Sequence, residues 1–486
     1  MRVFLMQVTK LGSLSACLFL FATSSSIASE PYGRDVVLDR SVNTYQQLAY
    51  YGSPATPWVL SGAGHEAAVV GDITPRVEAD LEESDPDQRR RIRSVLIPRL
   101  EAEVAEQERS LGPYAAVMSE TLEELARAHE RLGNDPAGVE ARERALFLIR
   151  VNEGLSSVTQ GPLVRALLNS LRRQQDFEGL DDRYRYFFRL YGSGLPPWSE
   201  DRWTATLEYL AWQREALERD IDGERASRLL RLHTLHRDLN RALEESWEAE
   251  EDRATSGLTW RHRVDAALNY LDTLYLVQAL ITPIADQLQY NQKRTTRYDP
   301  LAPDDQPQQT QQLVALQRSA QRRGTAALEA SLATIPTTER KARAVVLLNL
   351  ADWLQWNGSL RRASDVYVEL WKFLKAGGPA EQELLDRWLS EPRPLPDRPV
   401  FWVVDREVRL RAEVSVDVTS RGRGKARLKS VAGGRPIGST RLLRALNEVR
   451  YRPAFQEASE SGEEPEDAVV EPVAYRLETE SAILFK

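Results

Sequence analysis

The hydrophobic periodicity of this chain changes once, at a proline-rich break, and that change limits the folds open to it. From about residue 106 to residue 389, apolar residues recur at spacings of three and four, as in Leu122, Leu125 and Ala126 or Leu347, Leu350, Ala351 and Leu354. Arg, Glu, Gln and Ala fill the gaps, which is the pattern of amphipathic helices that each bury one stripe. Ser390 to Val400 then carries four prolines in eleven residues. Regular helix does not cross such a stretch, so 390–400 reads as a linker between domains. Beyond it, Leu410, Ala412, Val414, Val416 and Val418 alternate with Arg411, Glu413, Ser415, Asp417 and Thr419, the period of a strand with one buried face. With 486 residues, 42% of them hydrophobic, the chain can build more than one core. Its 72 acidic residues outnumber 64 basic ones, giving a net charge of −8. That balance argues against general nucleic-acid binding.

Two stretches of the helical region share their internal spacing. Leu122, Leu125, Ala126, Gly133, Gly138 and Ala145 stand at the same relative offsets as Leu347, Leu350, Ala351, Gly358, Ala363 and Leu370. Small residues stand where two helices of a hairpin must approach, and a glycine stands at the turn. This pattern resembles the tetratricopeptide repeat, a helix–turn–helix unit that stacks into a solenoid. The second unit is the better match, with Tyr367 where the first has Arg142. The rival reading is a generic helical bundle. Residues 295–312, rich in Pro, Gln and Asp, read as a loop between helices.

The first 28 residues read as a secretory signal peptide. Arg2 and Lys10 precede an apolar run from Leu11 to Thr23, and Ser26 and Ala28 suit a cut after Ala28. An uncleaved anchor and a lipoprotein signal at Cys17 are the alternatives. Cys17 is the one cysteine, so a disulfide framework and a cysteine-ligated metal site are excluded. Residues 29–105 form a mixed segment, with a short helix expected over Tyr45 to Tyr51 and helical character from Pro86.

After the linker, residues 401–486 read as strand, strand, helix, strand. The first strand turns at Arg421-Gly422-Arg423-Gly424. A helix with Leu442, Leu443, Leu446 and Val449 on one stripe ends at Arg450-Tyr451-Arg452-Pro453-Ala454, and a last strand runs from Val469 to Leu477. In that order and spacing, the stretch from Arg406 to Glu478 resembles the C-terminal domain of TonB-like energy transducers. The resemblance implies a periplasmic, non-enzymatic protein that grips a segment of another protein by β-strand addition. Transferred by position, the gripping edge is the last strand, with Val469, Val470, Val473 and Tyr475; Tyr451 and Pro453 of the signature are further candidates for partner binding. The chain departs from the family in lacking a long spacer and the Tyr-Pro motif before the first strand. Charge is segregated here: Arg421 to Arg452 holds ten basic residues and one acid, while Glu457 to Glu471 holds seven acids and no base.

Catalytic and cofactor patterns were sought. His233 and His236 stand three apart, but two imidazoles without a third ligand do not make a zinc site. Gly422-Arg423-Gly424-Lys425 lacks P-loop spacing, and no nucleophile-elbow motif occurs. The expectation is therefore a mainly α, tetratricopeptide-like α-solenoid followed by a small C-terminal α+β domain. It is not expected to be an enzyme and is expected to hold no metal or cofactor. The expected role is that of an adaptor of a TonB-type transport system in the Gram-negative periplasm. Its partners would be envelope proteins such as an outer-membrane receptor, with no nucleic acid and with membrane contact only through partners. Two alternatives stand beside it: a true transducer with an uncleaved anchor, and a scaffold that binds cell-wall material.

Overall fold

In a computed structural model of the chain, the described residues are 36–38, 48–50, 86–249, 257–295, 306–396, 408–432, 449–457, 470–473 and 475–485, with Leu443 and Asn447. The expected signal peptide and Val469 lie outside them. Helices dominate: α1 (Pro86–Arg91), α2 (Ile97–Leu111), α3 (Met118–Arg131), α4 (Asp135–Glu153), α5 (Gly161–Arg173), α6 (Phe177–Leu190), α7 (Glu200–Arg219), α8 (Arg225–Glu248), α9 (Trp260–Thr295), α10 (Gln306–Thr334), α11 (Arg340–Trp356), α12 (Leu360–Lys375) and α13 (Pro379–Leu389). Helices adjacent in sequence pack on one another along the array. No helix of the described residues is long and apolar enough to cross a membrane.

The two stretches with shared spacing fold alike. Gly133 and Gly358 follow helices α3 and α11 with φ of +74° and +78°, the left-handed conformation in which a side chain is strained. Ala126 and Ala351 are fully buried. At Gly138 a Cβ would stand 3.2 Å from the Ala126 carbonyl oxygen, so α4 lies against α3 as closely as the small residue permits. The apolar stripes merge into successive cores. Met118, Leu122, Ala145 and Leu148 form one, and Val164, Leu180, Phe187 and Trp212 belong to the next. The largest runs from Trp198 to Leu389 and includes Phe455 of the C-terminal module.

Strands follow the helices: β3 (Arg393–Pro394), β4 (Val408–Val418), β5 (Gly424–Ala432), β6 (Tyr451–Arg452), β7 (Ala454–Glu457), β8 (Val470–Val473) and β9 (Tyr475–Phe485). Two short N-terminal strands, β1 (Val36–Leu38) and β2 (Leu48–Tyr50), join them. The main sheet has the order β2-β1-β9-β4-β5, and β3-β6 and β7-β8 form two-stranded ribbons. Val416 and Val418 of β4 are buried, as the alternation predicts.

Four expectations are corrected. Leu48–Tyr50 is a strand rather than part of a helix; seven residues are too few to hold a helix unaided, and pairing with β1 satisfies their backbone instead. The loop expected over 295–312 is shorter, because α10 begins at Gln306; Pro307 falls in its first turn, where a missing N–H costs nothing. The last strand is two strands. β8 pairs with β7, and β9 pairs with β4 from Val418↔Tyr475 to Val408↔Phe485. The linker is not a bare tether, since Arg393 and Pro394 pair with Arg452 and Tyr451 and Leu395 is fully buried. Of the helix expected to end at Val449, Leu443 and Asn447 are described and are helical.

Candidate functional site

The described residues singled out in the sequence fall on or between separate strands. Val470 and Val473 lie in β8, opposite Glu457 and Ala454. Tyr475 begins β9, opposite Val418. Tyr451 and Pro453 are buried where the C-terminal module meets the helices. The signature Arg450-Tyr451-Arg452-Pro453-Ala454 therefore faces inward, onto the chain's own α11 and α12.

The contact is built from polar groups on α11. Asn349, Asp352 and Gln355 recur every third residue in Ala344 to Gln355, a stretch of α11 that is buried throughout and otherwise apolar. The Arg452 guanidinium, 1% exposed, donates from Nε to Asp352 Oδ1 at 2.8 Å and from Nη2 to Asp352 Oδ2 at 2.5 Å. Its Nη1 donates to the Trp388 carbonyl at 3.2 Å. The Tyr367 hydroxyl donates to Asp352 Oδ1 at 2.6 Å. Burial drives that hydroxyl far above its usual range, with Asp352 adding to the effect and Arg452 opposing it, so Tyr367 remains a donor. Gln355 Nε2 donates to the carbonyls of Arg421 and Tyr451, both at 3.0 Å. Around these bonds the Phe455 ring lies 5.3 Å from the Tyr367 ring, and the Tyr451 N–H donates to the Gly422 carbonyl at 2.9 Å. A planar guanidinium matched to a planar carboxylate fixes direction as well as distance, so Arg452 sets the angle at which the module sits.

The first hairpin uses the same positions for the same purpose. Arg142 stands at the offset of Tyr367, and it is 3% exposed. It donates from Nε to Glu123 Oε2 at 2.9 Å and pairs with Glu130 and Ser170. Glu130 stands at the offset of Gln355 and reaches the next helix, accepting from Arg173 at 2.6 Å. Gln355 reaches the C-terminal module instead. Gln355 thus meets the module at a position that, in the first unit, receives the following helix.

A third buried network ties α6 to α8. Asp181 accepts from Arg228 Nη1 and Nη2, both at 3.1 Å, from Trp212 Nε1 at 2.8 Å and from Arg185. Burial alone would raise its pKa, but Arg228 and the Trp212 N–H outweigh burial and hold it at about 2. The histidine pair is split. His236 is fully buried, with Nε2 2.8 Å from Thr273 Oγ1, and burial keeps it neutral. His233 meets the Tyr270 hydroxyl at 3.3 Å. No group of three metal-ligating side chains occurs among the described residues.

Sequence reasoning weighed Tyr367 as a repeat position and missed both Asp352 as its partner and Gln355 as the donor to Arg421 and Tyr451. Their signal was present: polar residues at every third position of an apolar helix must be satisfied from another element. Compared with known families and curated proteins, the chain matches no family model and no curated relative.

Proposed function

We propose that this chain is a protein-interaction adaptor of the cell envelope. In this reading a tetratricopeptide-like array carries a TonB C-terminal-like module that takes a partner segment as an added strand. The observation that carries it is the pairing of β9. On one side it pairs with β4 along its length, whereas on the other β1 pairs only with Ala482, Ile483 and Leu484. Among the described residues, Tyr475 to Thr479 thus pair on one side alone. An edge of this kind is a template for another strand, with backbone hydrogen bonds supplying affinity. The opposite edge is blunted, since the Ala426 N–H of β5 donates to Asn447 Oδ1 at 2.6 Å and Arg423 bridges to Arg450. The shared turn glycines and offset positions support the repeat reading, and the apolar N-terminus supports export.

Photo-crosslinking in cells tests the proposal, with a probe at Glu478 in β9 and a control at exposed Arg131 on α3. A discrete adduct from Glu478 to an outer-membrane protein is expected. Adducts from the control alone, or none from Glu478, would remove strand addition as the working contact.

A further inference from the structure

Helices α8, α9 and α10 enclose a groove of about 430 Å³ whose walls carry four arginines: Arg237, Arg241, Arg263 and Arg323. Each helix contributes residues at spacings of three and four, so each presents one stripe to the groove. Several buried arginines elsewhere are matched by carboxylates, as in Arg142 with Glu123, Arg172 with Glu215, Arg228 with Asp181 and Arg452 with Asp352. In the groove two are and two are not. Arg237 and Arg241 share Asp238, at 3.4 and 3.3 Å, and Arg241 also meets Glu245 at 3.9 Å. Arg263 lies 5.1 Å from the Trp247 ring centroid, and Arg323 donates to Ser319 Oγ at 3.0 Å. Neither Arg263 nor Arg323 has a carboxylate within 4.0 Å among the described residues. Burial lowers the pKa of Arg263, and Glu244 and Glu248 only partly offset that.

Asp238 and Glu245 meet Arg237 and Arg241, so Arg263 and Arg323 are the groove guanidinium groups left without a carboxylate in contact. The groove's volume falls in the range of small-ligand sites, about 300–1,000 Å³. The Tyr270 and Ser331 hydroxyls and the Asn240 amide add neutral hydrogen-bonding groups, and Ala267, Ala327 and Ala330 leave room on the walls. Guanidinium groups arriving from three helices suit an acceptor with oxygens in three directions rather than a flat carboxylate. A phosphate monoester carries about −1.5 to −2 at neutral pH.

We propose that this groove binds a phosphate monoester, with Arg263 and Arg323 as its principal donors. The inference does not depend on strand addition at β9.

Titration calorimetry of the full chain with glycerol 3-phosphate tests it. Saturable binding is expected, weakened about tenfold or more by Arg263→Gln or Arg323→Gln, the loss of one charge-assisted hydrogen bond. Arg322→Gln, an exposed neighbour on α10, should leave it unchanged. Succinate should bind about tenfold more weakly or worse, if oxygens in three directions are what the groove reads. A second reading keeps misfolding from mimicking the result: the His233 ring, 5.9 Å from the Tyr270 ring, should shift in imidazole NMR spectra on adding the ester. The chain has five histidines, so the signal is resolvable. Vesicles of phosphatidylcholine with phosphatidic acid identify the source: binding of vesicles assigns a lipid headgroup, and binding of the soluble ester alone assigns a free metabolite. Absence of saturable binding at millimolar ester, equal binding of succinate, or equal loss with Arg322→Gln overturns the proposal. So does binding that appears only once Glu250, Glu251 and Asp252 are neutralised, because the chain's own acidic segment would then be the occupant.

Discussion

Replacing Arg452 by Met should undock the C-terminal module without unfolding the helices. The side chain is 1% exposed and holds Asp352 through two hydrogen bonds at 2.8 and 2.5 Å. With the guanidinium gone, Asp352 retains only the Tyr367 hydroxyl as donor. A buried carboxylate that loses its cation costs about 3–5 kcal/mol, which is roughly two to four orders of magnitude in a docking equilibrium. The unpaired Trp388 carbonyl adds to the loss. Native-state hydrogen exchange reads this at the Leu395 N–H, which joins the segment after α13 to the module by donating to the Arg450 carbonyl at 2.8 Å. It should lose protection while amides of α6 and α7 keep theirs. The triple variant Asp352→Leu/Tyr367→Phe/Arg452→Met removes the ion pair together with the hydroxyl that shares its carboxylate. Apolar replacement of a buried ion pair is often neutral or stabilising by about 1–4 kcal/mol, so protection should largely return. If Arg452→Met changes protection by less than about 0.5 kcal/mol, or if the triple variant is as labile as the single one, the pair does not hold the module and the reasoning fails.

Three further outcomes follow from the same geometry. Asp181, held at about 2, contributes stability that is complete above its unfolded pKa near 4 and is lost as pH falls towards 2. A shift of that size is worth about 2 kcal/mol, and Asp181→Asn should abolish this acid dependence in urea melts between pH 4 and pH 2. A Cβ at Gly422, whose φ is +67°, would stand 2.1 Å from the Tyr451 carbonyl oxygen; Gly422→Ala should therefore cost about 2 kcal/mol or more and mimic Arg452→Met in exchange. Arg142→Met leaves Glu130 with Arg173 and Glu123 with Arg127, so it should destabilise the α3–α4 hairpin by about 2 kcal/mol in thermal melts, the loss of charged hydrogen bonds.

The helices and the one-sided burial of β4 were legible because a stripe of apolar residues needs no distant partner to be recognised. Leu122, Leu125 and Ala126 declare a face, and Val416 and Val418 declare another. What the sequence hid is the identity of the surface each face meets. The offsets shared by the two hairpins revealed the turn glycines, but not that Arg142 and Tyr367 are both buried hydrogen-bonding residues. Tyr451 and Pro453 looked available because the resemblance placed them in a small separate domain. They are buried because α11 offers Asp352 and Gln355, 100 and 96 residues away from Arg452 and Tyr451 respectively. No periodicity encodes a pairing at that separation. The groove arginines were invisible for a similar reason: each looks like an ordinary solvated cation until three helices bring four of them together.

The correspondence between Glu130 and Gln355 bears on how a load at the sheet would travel. In the first hairpin the residue at this offset reaches the next helix; in the second it reaches Arg421 and Tyr451. A stack of hairpins needs its last exposed face covered, and the module covers part of it with Phe455 set in the main core. A strand added along β9 would be one ladder from β4, and β4 is one ladder from β5, whose turn is held to α11 by Gln355. Force on the edge would then reach the helices through short hydrogen bonds and the Arg452–Asp352 pair rather than through a flexible tether. Such a connection suits a module that reports occupancy of its edge to the helical array, and it disfavours one that must swing freely to find its partner.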